Sequence, residues 1–388
     1  MSKLPISLCC IFLSYVPSLL AAPAIIPSAP QVSSSGYLLI DANSGKVIVE
    51  SNADEKLPPA SLTKLMTSYV LSYELEKGNV SNNDLVTISK NAWAQNPIFN
   101  GSSLMWIEVG KTVPLKALHK GVVISSGNDA SVAVAEHLSG SESAFADVMN
   151  QHAQILGMNN SHFVNSHGLP HPDHYVTARD LGTLAQAILK YPQEYALYSE
   201  RDYTYNNIKQ ANRNRLLWKD DSIDGLKTGH TEAAGYCLVA SAKRNGMRLI
   251  SVVMGAKSES SREQETQKLL AYGFRYYETL QLYSQGNELT QSQLWAGASD
   301  SFRLGVDRDI FLTVAKGKRD RIKAVMNIDN VIKAPISLGK EYGELVVTLG
   351  DEELLREPLV ALDSIEKAGV FKSLWHVILL FFTQLFNF

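Results

Sequence analysis

Cysteine is scarce in this chain, with three in 388 residues. Cys9 and Cys10 fall in an N-terminal targeting stretch, which leaves Cys237 as the one thiol of the mature chain. A single thiol excludes an internal disulfide framework, so stability has to come from a packed core. Cys237 lies in the apolar run GYCLVASA and reads as a small buried hydrophobe. Long Lys/Arg runs are absent, the formal net charge is −3 and the pI is near 6.3, which argues against nucleic acid as a partner. Metal motifs of the H-E-x-x-H or C-x-x-C kind are missing as well. His162, His167, His171 and His174 cluster, but their spacing matches no ligand pattern and reads as a polar loop, with no metal.

What the chain does have is a globular composition, 45% hydrophobic and 19% charged, at a length that holds a large core and more than one domain. Residues 1–24 read as a cleaved secretory signal. Lys3 is the positive start, Leu8 to Leu20 the apolar centre, and LLAAPA places the cut near Ala22 or Ala24. Pro5 and Pro17 break that stretch and count against a spanning helix. A Pro/Ser-rich linker over 25–35 leads into SGYLLIDANSGKVIVESNAD, two strands around an Asn-Ser-Gly turn. Helical spacing follows over Ser61–Glu76, Lys116–Ile124, Ala130–Leu138 and Ala178–Leu189. From Asp224 the period shortens to three strands with Gly-containing turns, and Ser261–Leu280 reads as helix again. Strands at both ends of a helical middle predict an α+β domain over 33–281 whose one sheet uses both ends. Short β-like runs over 282–365 predict a small β-rich domain, and 366–388 an amphipathic tail.

The chemistry is carried by spacing. Ser61 stands three residues before Lys64 at the start of an apolar helix, so both side chains leave one helical face. A serine hydroxyl needs a base to become a nucleophile, and a neutral lysine amine can be that base. S-x-x-K alone is weak, and it recurs at Ser337–Lys340 and Ser364–Lys367 without a helix in register. Two further motifs change its weight. Ser126-Gly127-Asn128 lies between helices, and Lys227-Thr228-Gly229 opens a strand. S-x-x-K, S-D-N and K-T-G are the signature of class A β-lactamases and penicillin-binding proteins, and all three stand here in that order with SGN in place of SDN.

With PASLTKLMTSYV, GSSLM, SSGNDA, HGL, NRNRLLW, DGLKTGHTEAAGY and YGFRYYET in order, the chain resembles the low-molecular-mass penicillin-binding proteins, the membrane-anchored serine D-alanyl-D-alanine carboxypeptidases of Gram-negative envelopes. The resemblance implies a penicillin-binding-protein-like catalytic domain with an antiparallel sheet and a helical cluster, then an all-β domain and an anchoring helix. It implies Ser61 as nucleophile on the penultimate D-Ala of the peptidoglycan stem peptide, with Lys64 as base. Ser126 relays a proton, and Asn128 orients Lys64 and the substrate amide. The backbones of Ser61 and His230 form the oxyanion site. For Lys64 to stay neutral, the helix N-terminus, burial and Lys227 would all have to disfavour its charge. Lys227, Thr228 and Gly229 bind substrate, Arg262 and Arg213 are further carboxylate candidates, and no cofactor is implied. β-Lactam antibiotics are expected as covalent inhibitors.

No E-x-x-x-N element stands between SGN and KTG, so a β-lactam acyl-enzyme is expected to hydrolyse slowly. DD-endopeptidase or weak β-lactamase action on the same site and a non-catalytic wall-binding protein are the alternatives. In the tail, the uninterrupted apolar run is only Val377 to Phe382, short of the ~20 residues of a span. Lys372, His376, Thr383 and Asn387 fall on one helical face, opposite Phe371, Leu374, Trp375, Ile378, Phe382 and Leu385. That pattern predicts a helix lying in the membrane interface, holding the protein on the outer leaflet of the inner membrane with its catalytic domain in the periplasm.

Overall fold

A computed structural model describes residues 26–386 of the chain, with side chains through Phe382. The expected signal segment, its cleavage site, and the Thr383, Leu385 and Asn387 side chains lie outside the described residues. The N-terminal hairpin forms as its turn signal predicts, β1 (Gly36–Asp41) pairing with β2 (Val47–Ser51). The late strands are β3 (Ile223–Thr231), β4 (Gly235–Arg244) and β5 (Met247–Ala256). They join β1 and β2 in one antiparallel sheet of order β2-β1-β5-β4-β3, so β3 is left as an edge.

Alternation along the strands divides the core. Leu38, Ile40, Val239 and Ile250 face the helices α1 (Thr63–Glu76), α2 (Asn128–Ser139), α3 (Glu142–Ile155) and α4 (Ala178–Ile188). Leu39, Leu238, Ala240 and Leu249 face α5 (Glu259–Tyr276). A second apolar cluster, including Leu71, Phe99, Met105 and Val132, packs α1 and α2 against the loop over 99–107.

Three expectations are corrected. Helix α3 was not anticipated, although Ser141 caps it by accepting from Ala144 N at 3.2 Å. The segment 116–124 is helical, but it widens from Leu115–Lys120 into a π-type turn over Gly121–Ser125. The helix expected to reach Leu280 stops at Tyr276, and Tyr277–Tyr283 is strand β6, paired with β9 (Ile310–Ala315). Aromatic and β-branched residues in YETLQLY favour a strand once a partner is present, and local spacing cannot report that partner.

The remaining strands β7 (Glu288–Gln293), β8 (Ser301–Gly305), β10 (Ile322–Ile328), β11 (Glu341–Leu349) and β12 (Glu352–Ala361) form a second antiparallel sheet, order β7-β8-β12-β11-β10. Polar ties join this β-rich part to β1, the turn after it and α5. Thr279 Oγ1 donates to the Asp41 carboxylate, Ser44 Oγ lies 2.6 Å from Thr313 Oγ1, and Lys316 Nζ donates to Phe274 O at 2.7 Å.

The tail helix α6 (Val370–Phe386) does not stand free. Lys372 Nζ pairs with Asp300 at 2.8 Å, Ala296 N donates to His376 Nδ1 at 3.0 Å, and the His376 ring meets Trp295 edge-on. Lys372 and His376 of the expected polar stripe thus clasp the β-rich part. Phe371 is left 92% exposed and Trp375 60%.

Candidate active site

Ser61 sits on a single 3₁₀ turn, Ala60–Leu62, that feeds α1. Two chain segments press on this turn, each at a glycine. A side chain on Gly229 of β3 would put its Cβ 2.9 Å from Pro59 O and 3.2 Å from the amide nitrogens of Ser61 and Leu62. Gly168, at φ +91°, would collide with Ala60 O at 1.8 Å. Backbone therefore approaches the serine from both sides, as a site that binds charge with main-chain N–H groups requires.

Lys64 is 1% exposed. Its Nζ lies 3.1 Å from Ser61 Oγ, 2.7 Å from Asn128 Oδ1 and 2.7 Å from the carbonyl oxygen of His167. Burial pulls its pKa down to about 7, against the opposing fields of Asp129 and Glu142. The helix N-terminus and Lys227, named from sequence as causes, are not the leading ones; loss of water is.

Ser126 ends the π-type turn in the left-handed region, φ 59°, which turns its hydroxyl toward the second lysine. Lys227 Nζ donates to Ser126 Oγ at 2.9 Å and to Thr228 O at 3.0 Å. Burial lowers the Lys227 pKa strongly, and Lys64, Arg213 and Arg262 add to the effect. The next residue after Asn128 holds the loop in place. Asp129 accepts from the N–H groups of Met105, Trp106, Ile107 and Ala130 at 2.8–3.1 Å, fixing the loop that carries Ser102 and Ser103.

These elements enclose a cavity of about 280 Å³. Ser61, Ser126, Asn128, Thr228, Gly229, His230, Arg213 and Arg262 all line it, and Lys64 and Lys227 sit behind Ser61 and Ser126. Every residue singled out from the sequence is thus brought to one place. Arg213 is exposed at the rim, whereas Arg262 is only 3% exposed and paired with Glu259 at 3.0 Å. The His230 ring stacks on Tyr236, centroids 4.0 Å apart.

The sequence reading assigned nothing to Asp129, Tyr236, Glu259 or the His167 carbonyl. An acid directly after the S-x-N motif was the one local sign of Asp129, and a backbone carbonyl leaves none. His167 and His174 also depart from the polar-loop expectation, being 3% exposed each. His174 Nε2 lies 2.9 Å from Thr63 Oγ1, and burial lowers both imidazoles, to about 3 and about 4. Among the described residues no three His, Cys, Asp or Glu are grouped to hold a metal ion.

A serine on a helix start, a buried low-pKa lysine one turn on, and a Ser–Lys pair across an edge strand define a serine acyl-transferring hydrolase. Residues 24–258 match the D-alanyl-D-alanine carboxypeptidase family, and residues 277–367 match the penicillin-binding protein 5 C-terminal domain. The chain belongs to the D-alanyl-D-alanine carboxypeptidase family and is a serine-type enzyme of that activity. It is 43% identical to the D-alanyl-D-alanine carboxypeptidase DacA of Escherichia coli, over 94% of this chain and 91% of that one. Its structure is similar to that of penicillin-binding protein 5 from Haemophilus influenzae, with TM-score 0.83 and 41% identity over 88% of this chain and all of that one. Penicillin-binding protein D2 of Listeria monocytogenes in its ampicillin-bound form is 29% identical, with TM-score 0.56, over 64% of this chain and all of that one.

Proposed function

We propose that Ser61 carries the acyl group, with Lys64 as its base. The observation behind this reading is the environment of Lys64. A neutral amine has two N–H bonds and one lone pair. Asn128 Oδ1 and His167 O, each at 2.7 Å, are acceptors and take the two N–H groups. The lone pair is left for the hydroxyl hydrogen of Ser61, 3.1 Å away. Ser61 Oγ attacks the carbonyl carbon of the penultimate D-Ala of a peptidoglycan stem peptide, and its proton passes to Lys64. The developing oxyanion takes the N–H groups of Ser61 and His230. Ser126, held by Lys227, gives its hydroxyl proton to the departing D-Ala nitrogen as the C–N bond breaks and takes in its place the proton Lys64 gained from Ser61, which returns Lys64 to the neutral amine. Water, with Lys64 again as base, then releases the shortened peptide. The terminal carboxylate falls to Thr228, Lys227, Arg213 and Arg262, and its arrival supplies the negative charge that lets Lys227 keep a proton. A β-lactam offers the same serine a strained amide and leaves a slowly hydrolysed acyl-enzyme.

The tail supports a location. Among the described residues no helix is long and apolar enough to cross a membrane, and Phe371, Leu374, Trp375 and Val377 of α6 are exposed. The reading is an enzyme exported by the segment over 1–24, facing the periplasm, and held on the outer leaflet of the inner membrane by residues 366–388. In this reading the catalytic domain, expected over 33–281, runs from residue 33 to the end of α5 at Tyr276, and the β-rich domain, expected over 282–365, starts with β6 at Tyr277 and runs to 365.

The test is the mass of the intact protein after mixing with penicillin. The wild type gains one penicilloyl group, and Ser61→Ala gains none and releases no D-Ala. An adduct on Ser61→Ala would place the nucleophile elsewhere.

A further inference from the structure

Arg262 is a buried cation with an unfinished set of partners. Its side chain is about 4% exposed, its Nη2 is held by Glu259 Oε1 at 3.0 Å, and its Nε–H has no partner although it is shut off from water. Tyr236 lies under the guanidinium, 5.9 Å from ring centroid to Cζ, and itself stacks on His230. Both Glu259 and Arg262 line the catalytic cavity. Glu259 is unlike its partner in one respect: it is about half exposed.

Glu259 also borders a second, open cleft of about 630 Å³ lined by Arg215, Trp218, Lys219, Ser260 and Glu263. Lys219 there is already paired with Glu263. Arg215 is exposed at the cleft and two residues from Arg213. A glutamate leaving Arg262 therefore has a cationic landing place beside it.

We propose that Glu259 is a specificity-determining residue: a resident carboxylate that occupies Arg262 until the terminal carboxylate of the substrate displaces it toward Arg215. This rests on the reading of Arg262 as a carboxylate site given above. A free acid can take the fork of Arg262 through Nε and Nη2 together, which is the planar match a guanidinium offers. A C-terminal amide carries no charge to drive the exchange and leaves Glu259 in place. The internal pair thus raises the KM for acids without touching the acylation chemistry.

The probes are diacetyl-L-Lys-D-Ala-D-Ala and its C-terminal amide, followed by D-Ala or D-alaninamide release. Glu259→Gln should lower KM for the free acid roughly threefold, the weight of a half-exposed ion pair. It should leave kcat, and both constants for the amide, where they were. Arg215→Ala should raise KM for the acid by a similar factor and spare the amide. The effect of Glu259→Gln should vanish when Arg262→Ala is added. If Glu259→Gln changes acid and amide alike, or raises KM for the acid, the proposal is overturned. If Arg262→Ala alone weakens acid and amide equally, the carboxylate reading of Arg262 falls first, independently of Glu259.

Discussion

The pH dependence of acylation should reveal the titration of Lys64. Its fall from an ordinary 10.5 to about 7 corresponds to roughly 5 kcal/mol in favour of the neutral amine. At pH 7 about half of the enzyme then holds a free base, against roughly one molecule in a few thousand for an unperturbed lysine. The sign follows: protonation below pH 7 removes the base. The second-order rate of acylation by a fluorescent penicillin should therefore drop about tenfold per pH unit below 7 and level off above it. Lys64 and Lys227 share one enclosure, so the limb belongs to the pair until a second variant assigns it. Glu142→Gln is that variant. Glu142 raises the pKa of Lys64 and does not appear among the groups acting on Lys227, so its loss should move the limb to lower pH and keep the plateau. Lys64→Arg, which cannot deprotonate, should lose at least ~10³ in rate at all pH values. Stopped-flow measurement over pH 5–10 decides the matter. A limb centred near pH 10, or one that Glu142→Gln moves upward, would refute the argument.

Three further outcomes are expected. Gly229→Ala drives a Cβ into Pro59 O and the Ser61 amide, so acylation should fall by about 10²–10³ while overpacking costs about 1–3 kcal/mol in denaturant melts; normal acylation would show that the close approach is dispensable. Asp129→Asn replaces one of two accepting oxygens with a donor facing N–H groups, and should cost on the order of 3 kcal/mol of stability; a loss under about 1 kcal/mol would mean the loop over 101–107 is held by other contacts. A chain ending at Ala368 should leave the membrane pellet and still cleave soluble peptides; continued sedimentation, or loss of peptide cleavage, would remove the tail from the anchoring role.

Much of the site was legible because its chemistry is written in short, ordered motifs. Ser61 and Lys64 share a helical face by spacing alone, and the strand carrying Lys227 announces itself by its period. What stayed hidden depends on contacts between distant segments. The carbonyl of His167 looks like any other until the chain folds it 2.7 Å from Lys64, 103 residues away. Glu259 reads as an ordinary first-turn acid, suited to a helix dipole, until Arg262 and the neighbouring cleft give it other work. The strand at Tyr277 was misread for the same reason: its partner β9 is more than thirty residues later. Polarity in the tail reads as a stripe along one helical face, but a stripe does not say whether water or protein receives it.

That stripe has a consequence for how the enzyme would search its surroundings. Hinged on a flexible string, a catalytic head can swing through many orientations and sample wall at many heights. Here α6 is pinned by Lys372 and His376 to the segment over 295–300, and the β-rich part is pinned in turn to β1 and the loop after it through Asp41 and Ser44. If the bare aromatic side of α6 lies in the bilayer, the cleft is carried like the jaw of a fixed calliper, at one height and one tilt. Travel is then confined to lateral drift in the plane, and stem peptides beyond that height escape trimming until the wall moves to meet them.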